Sequence, residues 1–73
     1  MKPLSLTHKR LGRRIKTLRK ALGLTQEDLA FEVGMNRSYM GFIERGERNP
    51  SLAMLKKIAK ALRVSLSVLF RSV

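Results

Sequence analysis

Residues 25–45, TQEDLAFEVGMNRSYMGFIER, contain two short helical patterns that are separated by a glycine. Thr25 and Asp28 have the spacing of a capping box, in which each side chain accepts a hydrogen bond from the other residue's backbone N–H, and they predict the start of the first helix. Gly34 ends that helix, and Asn36 caps the next one only two residues later. Two short helices joined this tightly cross steeply, as in a helix-turn-helix, although an ordinary corner of a helical bundle has a similar pattern.

The second helix of this pair has an unusual outer side. If Met40 and Ile43 face inward, the helical repeat brings Glu44 inward with them and turns four residues outward: Ser38, Gly41, Phe42 and Arg45. A glycine inside a helix costs about 0.5–1 kcal/mol relative to alanine, and a solvated side rarely carries glycine next to phenylalanine. We therefore expect this outer side to contact a partner.

Hydrophobic periodicity predicts three further helices. The first covers about residues 8–22, ends at Gly23, and carries a stripe formed by Leu11, Ile15, Leu18 and Leu22. The next starts near Ser51, after Pro50, and should bury Leu52, Leu55, Ile58, Ala59 and Leu62. The last is capped by Ser65 and should place Leu66, Leu69 and Phe70 in the core. The predicted fold is all-α, with five helices in one domain over residues 1–73.

Composition narrows the class of function. The 73 residues include 16 Lys and Arg but only 5 Asp and Glu, and they include no Cys. No set of residues suits nucleophilic catalysis or a metal site, so we expect neither an enzyme nor a metal, cofactor or small-molecule ligand. No segment resembles a membrane span or a signal peptide, which predicts a cytoplasmic protein. The charge of +11 favours a polyanionic partner, either nucleic acid or an anionic membrane.

From Leu11 to Phe70 the sequence resembles the lambda-repressor-like (Cro/cI-type, XRE) helix-turn-helix family. The matching segments are IKTLRKALGLTQEDLA, GMNRSYMGFIERGERNPSL and LKKIAKALRVSLSVLF. Within the family it is most similar to the small controller proteins of restriction–modification systems, whose recognition helix also begins with a basic, a hydroxyl and a tyrosine residue. The resemblance implies a compact five-helix domain that binds double-stranded DNA, with the helix over about residues 36–45 in the major groove.

The resemblance also implies roles for individual residues. Gln26 matches a residue that meets a DNA phosphate at the start of a helix, where free amides favour an anion. Arg37 and Ser38 match base-reading positions, and an arginine there can donate two hydrogen bonds to guanine. Tyr39 would contact DNA or pack against the preceding helix. Arg45 and Arg48 would neutralise phosphates or simply be solvated.

Gly41 and Phe42 depart from the family pattern, because these positions are more often polar in relatives. We expect Gly41 to let the helix backbone approach DNA closely. Phe42 would pack on thymine methyl groups, and its alternatives are a protein interface or the core.

Arg19 and Glu44 match a largely buried ion pair that joins the first and third helices of the family. The pair would orient the recognition helix without touching DNA. The remaining basic residues of the first helix are expected on its solvent side, where they attract DNA at long range or are merely solvated: Lys9, Arg10, Arg13, Arg14, Lys16 and Lys20.

Three functions fit these observations to different degrees. The favoured one is a sequence-specific transcriptional regulator, such as a repressor, that binds a palindromic operator as a homodimer. Val68 and Val73 are surplus apolar residues that could form the dimer interface, or they are scattered surface residues. The alternatives are an antitoxin with secondary DNA binding and, on the amphipathic first helix alone, a membrane-active peptide.

Overall fold

The computed structural model describes residues 5–73, and within them it contains five helices and no strand. In chain order the helices are α1 (Leu6–Ala21), α2 (Gln26–Glu32), α3 (Arg37–Glu44), α4 (Leu52–Ala61) and α5 (Leu66–Leu69). The predicted all-α class is confirmed. The first helix begins about two residues earlier and ends about one residue earlier than the predicted range of about 8–22.

Each helix begins after a Ser, Thr or Asn whose side chain accepts a hydrogen bond from the backbone N–H three residues later. These N-caps are Ser5, Thr25, Asn36, Ser51 and Ser65. The capping box predicted at Thr25 is complete, because Asp28 also accepts a hydrogen bond from the Thr25 N–H. The first two helices are followed by Gly23 and Gly34 with φ of 73° and 74°, which glycine adopts without the strain of a Cβ. These local signals determine where the elements start and stop.

The core draws on all five helices. Its buried apolar residues are Leu11, Ile15, Leu29, Ala30, Val33, Met40, Ile43, Leu55, Ile58, Ala59, Leu62 and Leu69. Three residues that we expected inside are exposed: Leu22, Leu52 at 62% and Phe70 at 38%. Leu22 and Phe70 lie one residue past the ends of α1 and α5, where the helical repeat no longer sets their direction. Leu52 is the first residue of α4 and, at 100° per residue, lies at the edge of the buried stripe.

The C-terminal end differs from the sequence expectation in two further ways. Val73 is partly buried and packs against the core, so less of its side chain is free than we expected of a surplus apolar residue. Arg14 is half-buried and does not point freely to solvent, because its Nε and Nη2 donate to the Val68 carbonyl oxygen at 3.3 and 3.1 Å. This arginine ties α1 to α5.

The backbone of helix α1 lies in close contact with that of α3 at Gly12. Gly12 is buried, and a Cβ added there would lie 2.5 Å from the Glu44 carbonyl oxygen and even closer to that of Ile43. The α1 backbone therefore rests directly on the carbonyl end of α3. The predicted apolar stripe of α1 did not include Gly12, and the sequence did not indicate that backbone atoms of α3 would be its partners.

Among residues 5–73, none of the helices has both the length and the apolar character that crossing a bilayer would need.

Candidate nucleic-acid interface

Helix α3 presents its outer side to solvent with a series of basic and polar side chains. The predicted recognition helix over about residues 36–45 is observed as Arg37–Glu44, with Asn36 as N-cap and Arg45 as C-cap. The exposed residues on or just beyond it include Arg37, Ser38, Arg45 and Arg48. Phe42 is half-buried between them in the sequence, and Tyr39 packs against the core. Tyr39 is only partly buried, so its predicted contact with DNA stays a prediction.

The inner side of α3 is fixed by a buried ion pair. Arg19 donates from Nε to Glu44 Oε2 at 2.6 Å and from Nη2 to Glu44 Oε1 at 3.0 Å. The remaining guanidinium nitrogen, Nη1, donates to the Leu24 carbonyl oxygen at 2.7 Å. Glu44 also accepts a hydrogen bond from Gln26 Nε2 at 3.0 Å. The Glu44 carboxylate thus connects α1, α2 and α3. We call the set of Arg19, Leu24, Gln26 and Glu44 the inner lock.

The inner lock satisfies all the polar groups that it buries. Among residues 5–73 no buried side-chain nitrogen or oxygen lacks a hydrogen-bond partner. A bidentate arginine–carboxylate pair is strongly directional, so it sets the rotation of α3 about its own axis as well as its position. Arg19 and Glu44 therefore form the ion pair that the resemblance implied, and the bond from Gln26 is an addition to it.

Gln26 uses part of its hydrogen-bonding capacity inside the protein. Its side-chain amide donates one N–H to Glu44, which leaves the second amide N–H and the backbone N–H as donors. It lies at the start of α2, where Thr25 and Asp28 form the capping box. The hydrogen bonds from the backbone N–H and the hydroxyl of Thr25 lower the pKa of Asp28 below its ordinary value of 3.8. Arg37 and Lys20 line one open depression with Thr25 and Gln26.

The helical wheel predicted that Gly41 is exposed on the outer side, and this prediction is wrong. Gly41 is buried, and a Cβ added there would lie 3.0 Å from Arg45 Nη1 and 3.7 Å from Gln26 Oε1. The physical reason is that the side chain of Arg45, four residues later, lies back along the helix over the glycine. The bare backbone at Gly41 is therefore covered by a guanidinium.

Phe42 is covered in a similar way. The Arg45 guanidinium carbon lies 5.1 Å from the centroid of its ring, and that of Arg48 lies 5.4 Å from it. Arg45 Nε also donates to Glu47 Oε1 at 3.0 Å. Both ring contacts fall within the range of cation–π attraction. The sequence carried a signal for the first of them, because residues three apart on a helix are neighbours.

No group of three or more His, Asp or Glu side chains within residues 5–73 could hold a metal ion.

Comparison with known proteins finds a helix-turn-helix family model and related regulatory proteins. The helix-turn-helix family model HTH_3 matches residues 15–69. The chain is 42% identical over 65 residues to control protein C.MunI of Mycoplasma sp, which covers 88% of each chain. It is 44% identical over 59 residues to the immunity repressor protein of Bacillus phage phi105, but that match covers 81% of this chain and only 41% of the phage protein.

Two solved structures show the same architecture. The restriction–modification controller protein C.AhdI from Aeromonas hydrophila superposes with a TM-score of 0.86 at 45% identity, over 89% of this chain and 98% of C.AhdI. The restriction–modification controller protein C.Esp1396I, solved as a tetramer in complex with its natural 35 base-pair operator, superposes with a TM-score of 0.82 at 39% identity, over 92% of this chain and 88% of that one.

Proposed function

The chain belongs to the HTH_3 helix-turn-helix family, and on that premise we propose that it is a sequence-specific regulator of transcription that binds double-stranded DNA in the cytoplasm. The observation that carries the proposal is the outer side of α3, where exposed basic side chains project from a helix whose inner side is fixed by the Arg19–Glu44 ion pair. A net charge of +11 supplies the long-range attraction to a polyanion.

We propose that α3 enters the major groove with its N-terminal end closest to the bases. Arg37 and Ser38 would read base edges there, since both are exposed and belong to the first turn of the helix. Gln26 would meet a phosphate through its backbone N–H and the second N–H of its side-chain amide, since only one amide N–H is donated to Glu44. Arg45 and Arg48 would contact the phosphate backbone.

We further propose that the chain binds its operator as a homodimer. A single domain of this size reads only a few base pairs, whereas two copies related by a two-fold axis read a palindrome with half-sites about 34 Å apart. The candidate surface is the C-terminal end around Val68 and Val73, to which the exposed Phe70 now adds more apolar area than Val73 does. Changing Phe70 to a charged residue should shift the sedimentation of the protein toward the monomer.

Selection of bound duplexes from a random pool tests the proposal as a whole. We expect one palindromic sequence to be enriched. Affinity for it should fall roughly a thousandfold or more between 50 and 200 mM salt if about six or more phosphates are neutralised. A pool with no enriched sequence, together with affinity that does not respond to salt, would contradict the proposal.

Arg37→Ala tests the assignment of the reading end of α3. We expect a loss of about 1–3 kcal/mol in operator binding and a relaxed preference at one position per half-site, with unchanged non-specific binding. Lys57→Ala is a matched control, because Lys57 is an exposed basic residue on α4. An equal loss on operator and scrambled duplexes would assign Arg37 to the phosphates instead.

A further inference from the structure

We infer that Gly41, Phe42 and Glu47 form a seat that holds the Arg45 guanidinium in place on the outer side of α3 before DNA arrives. In this role all three are positioning residues for a phosphate contact of Arg45, and none of them reads a base. The inference rests on the proposed function, since it takes Arg45 as a residue that contacts DNA.

Gly41 provides the floor of the seat. Arg45 Nη1 would lie only 3.0 Å from a Cβ at this position, which is closer than ordinary van der Waals contact. A side chain at this position would displace the guanidinium from the helix backbone by a few tenths of an ångström. This use of the glycine accounts for its presence inside a helix, where alanine would favour the helical conformation.

Phe42 provides an aromatic wall. Its ring attracts the guanidinium of Arg45 and also that of Arg48, at 5.1 and 5.4 Å from the centroid. Two like charges gathered at one ring repel each other, so the arrangement needs a further source of attraction. That source is Glu47.

Glu47 fixes the direction of the Arg45 side chain. Its carboxylate accepts from Nε at 3.0 Å, and its side chain is only 15% exposed. A carboxylate on a surface that meets phosphates repels them, so its presence there calls for a compensating role. Here it anchors one edge of the guanidinium and offsets the repulsion between the two arginines.

The consequence for binding is preorganisation. An arginine side chain loses much rotamer freedom when it is immobilised on a ligand, and a seat that restricts it beforehand reduces that loss. Because phosphates carry no sequence information, disrupting the seat should weaken operator and scrambled duplexes by the same factor. A Phe42 that packed on thymine methyl groups would instead affect the operator selectively.

The decisive variant is Gly41→Ala, because its effects on stability and on binding should have opposite signs. The new methyl group meets the mobile end of Arg45, so the fold should be retained and its unfolding midpoint should stay the same or rise. Affinity for both duplexes should fall about two- to fivefold, as expected for the loss of an exposed cation–π contact. In an Arg45→Ala background, Gly41→Ala should have no further effect on affinity.

Two alternative results of this cycle would overturn the inference. If Gly41→Ala weakens binding equally with and without Arg45, the glycine itself approaches DNA. If it leaves affinity unchanged in the otherwise natural chain, the position of Arg45 does not matter for binding.

Phe42→Leu should reproduce the two- to fivefold loss on both duplexes, and Phe42→Tyr should restore affinity because it keeps the ring. Phe31→Leu is the matched control, because Phe31 is 84% exposed on α2 and should leave binding unchanged. A loss for Phe42→Leu that is confined to the operator would overturn the inference in favour of direct reading by Phe42.

Side-chain NMR of the arginine Nε–H groups separates the seat from the proposed function. We expect Arg45 to give a resolved, immobilised Nε–H signal in the free protein, and we expect Glu47→Gln and Phe42→Leu to mobilise it. An Arg45 Nε–H that is equally mobile in all three proteins overturns the seat, whether or not the chain binds DNA. A rigid Arg45 in a chain that binds no duplex supports the seat and contradicts the proposed function.

Discussion

Each side of α3 carries an arginine–carboxylate pair, and the two pairs differ mainly in burial. On the inner side Arg19 and Glu44 are 2.6 Å apart, with side-chain exposures of 7% and 2%. On the outer side Arg45 and Glu47 are 3.0 Å apart, with side-chain exposures of 55% and 15%. The inner contact is also bidentate, whereas the outer one is a single hydrogen bond. Burial and geometry therefore both contribute to the different consequences of the two pairs.

Burial decides what each pair can do. Removing one partner of a buried pair leaves a charge away from water, so the inner pair is tightly coupled to the fold. An exposed pair contributes little to stability, because water and salt compete with it. For that reason the outer arginine can offer the guanidinium nitrogens that Glu47 does not contact to a phosphate without disturbing the domain. The inner pair positions α3, and the outer pair is available to a ligand.

The largest expected effect is that of Arg19→Ala. It leaves Glu44 buried without its guanidinium, and we expect the free energy of unfolding to fall by about 3–5 kcal/mol. Urea unfolding measures this loss. The double variant Arg19→Met, Glu44→Met removes both charges, and it should be clearly more stable than Arg19→Ala. If Arg19→Ala left the urea unfolding midpoint unchanged, burial would not distinguish the two pairs.

Gly12→Ala should have the next largest effect, again on the inner side. The added methyl group meets the backbone carbonyls at the end of α3, which cannot rotate away, and overpacking of this kind costs about 1–3 kcal/mol. Thermal unfolding of Gly12→Ala beside Gly41→Ala compares a glycine that faces backbone with one that faces a flexible side chain. A midpoint for Gly12→Ala that is higher than that of the unmodified protein would mean that α1 and α3 can move apart at little cost.

The smallest effect belongs to the outer pair. Glu47→Gln removes the charge that Arg45 contacts, and we expect the free energy of unfolding to change by less than about 1 kcal/mol. The same urea titration that is used for Arg19→Ala measures it. A loss as large as that of the inner variant would mean that Glu47 holds the domain together.

Local signals and the family resemblance predicted the inner side of α3 well. Thr25 and Asn36 are short-range caps whose partners lie three residues away, so the sequence alone contains the whole interaction. The inward direction of Met40, Ile43 and Glu44 follows from the helical repeat, and all three are buried. The pairing of Arg19 with Glu44 came from the resemblance and not from periodicity.

The outer side was harder to predict for physical reasons. A helical wheel gives the direction of each Cβ but not the path of a long side chain, so it placed Gly41 in the open although Arg45 covers it. Gly12 was missed because its partners are backbone atoms more than 30 positions further along the chain. The prediction that Phe70 is in the core was wrong because Phe70 lies just beyond the last helix, where the helical repeat gives no guidance.

The contact at Gly12 also bears on how the protein could adapt to DNA. Side chains in an ordinary helix crossing can repack and let one helix tilt on the other, but backbone against backbone leaves no such freedom. Helix α3 should therefore approach the groove as part of a rigid body. Any mismatch between protein and operator then has to be absorbed by the long side chains at its surface or by bending of the duplex. Base pairs that the protein never touches would then influence affinity through their stiffness.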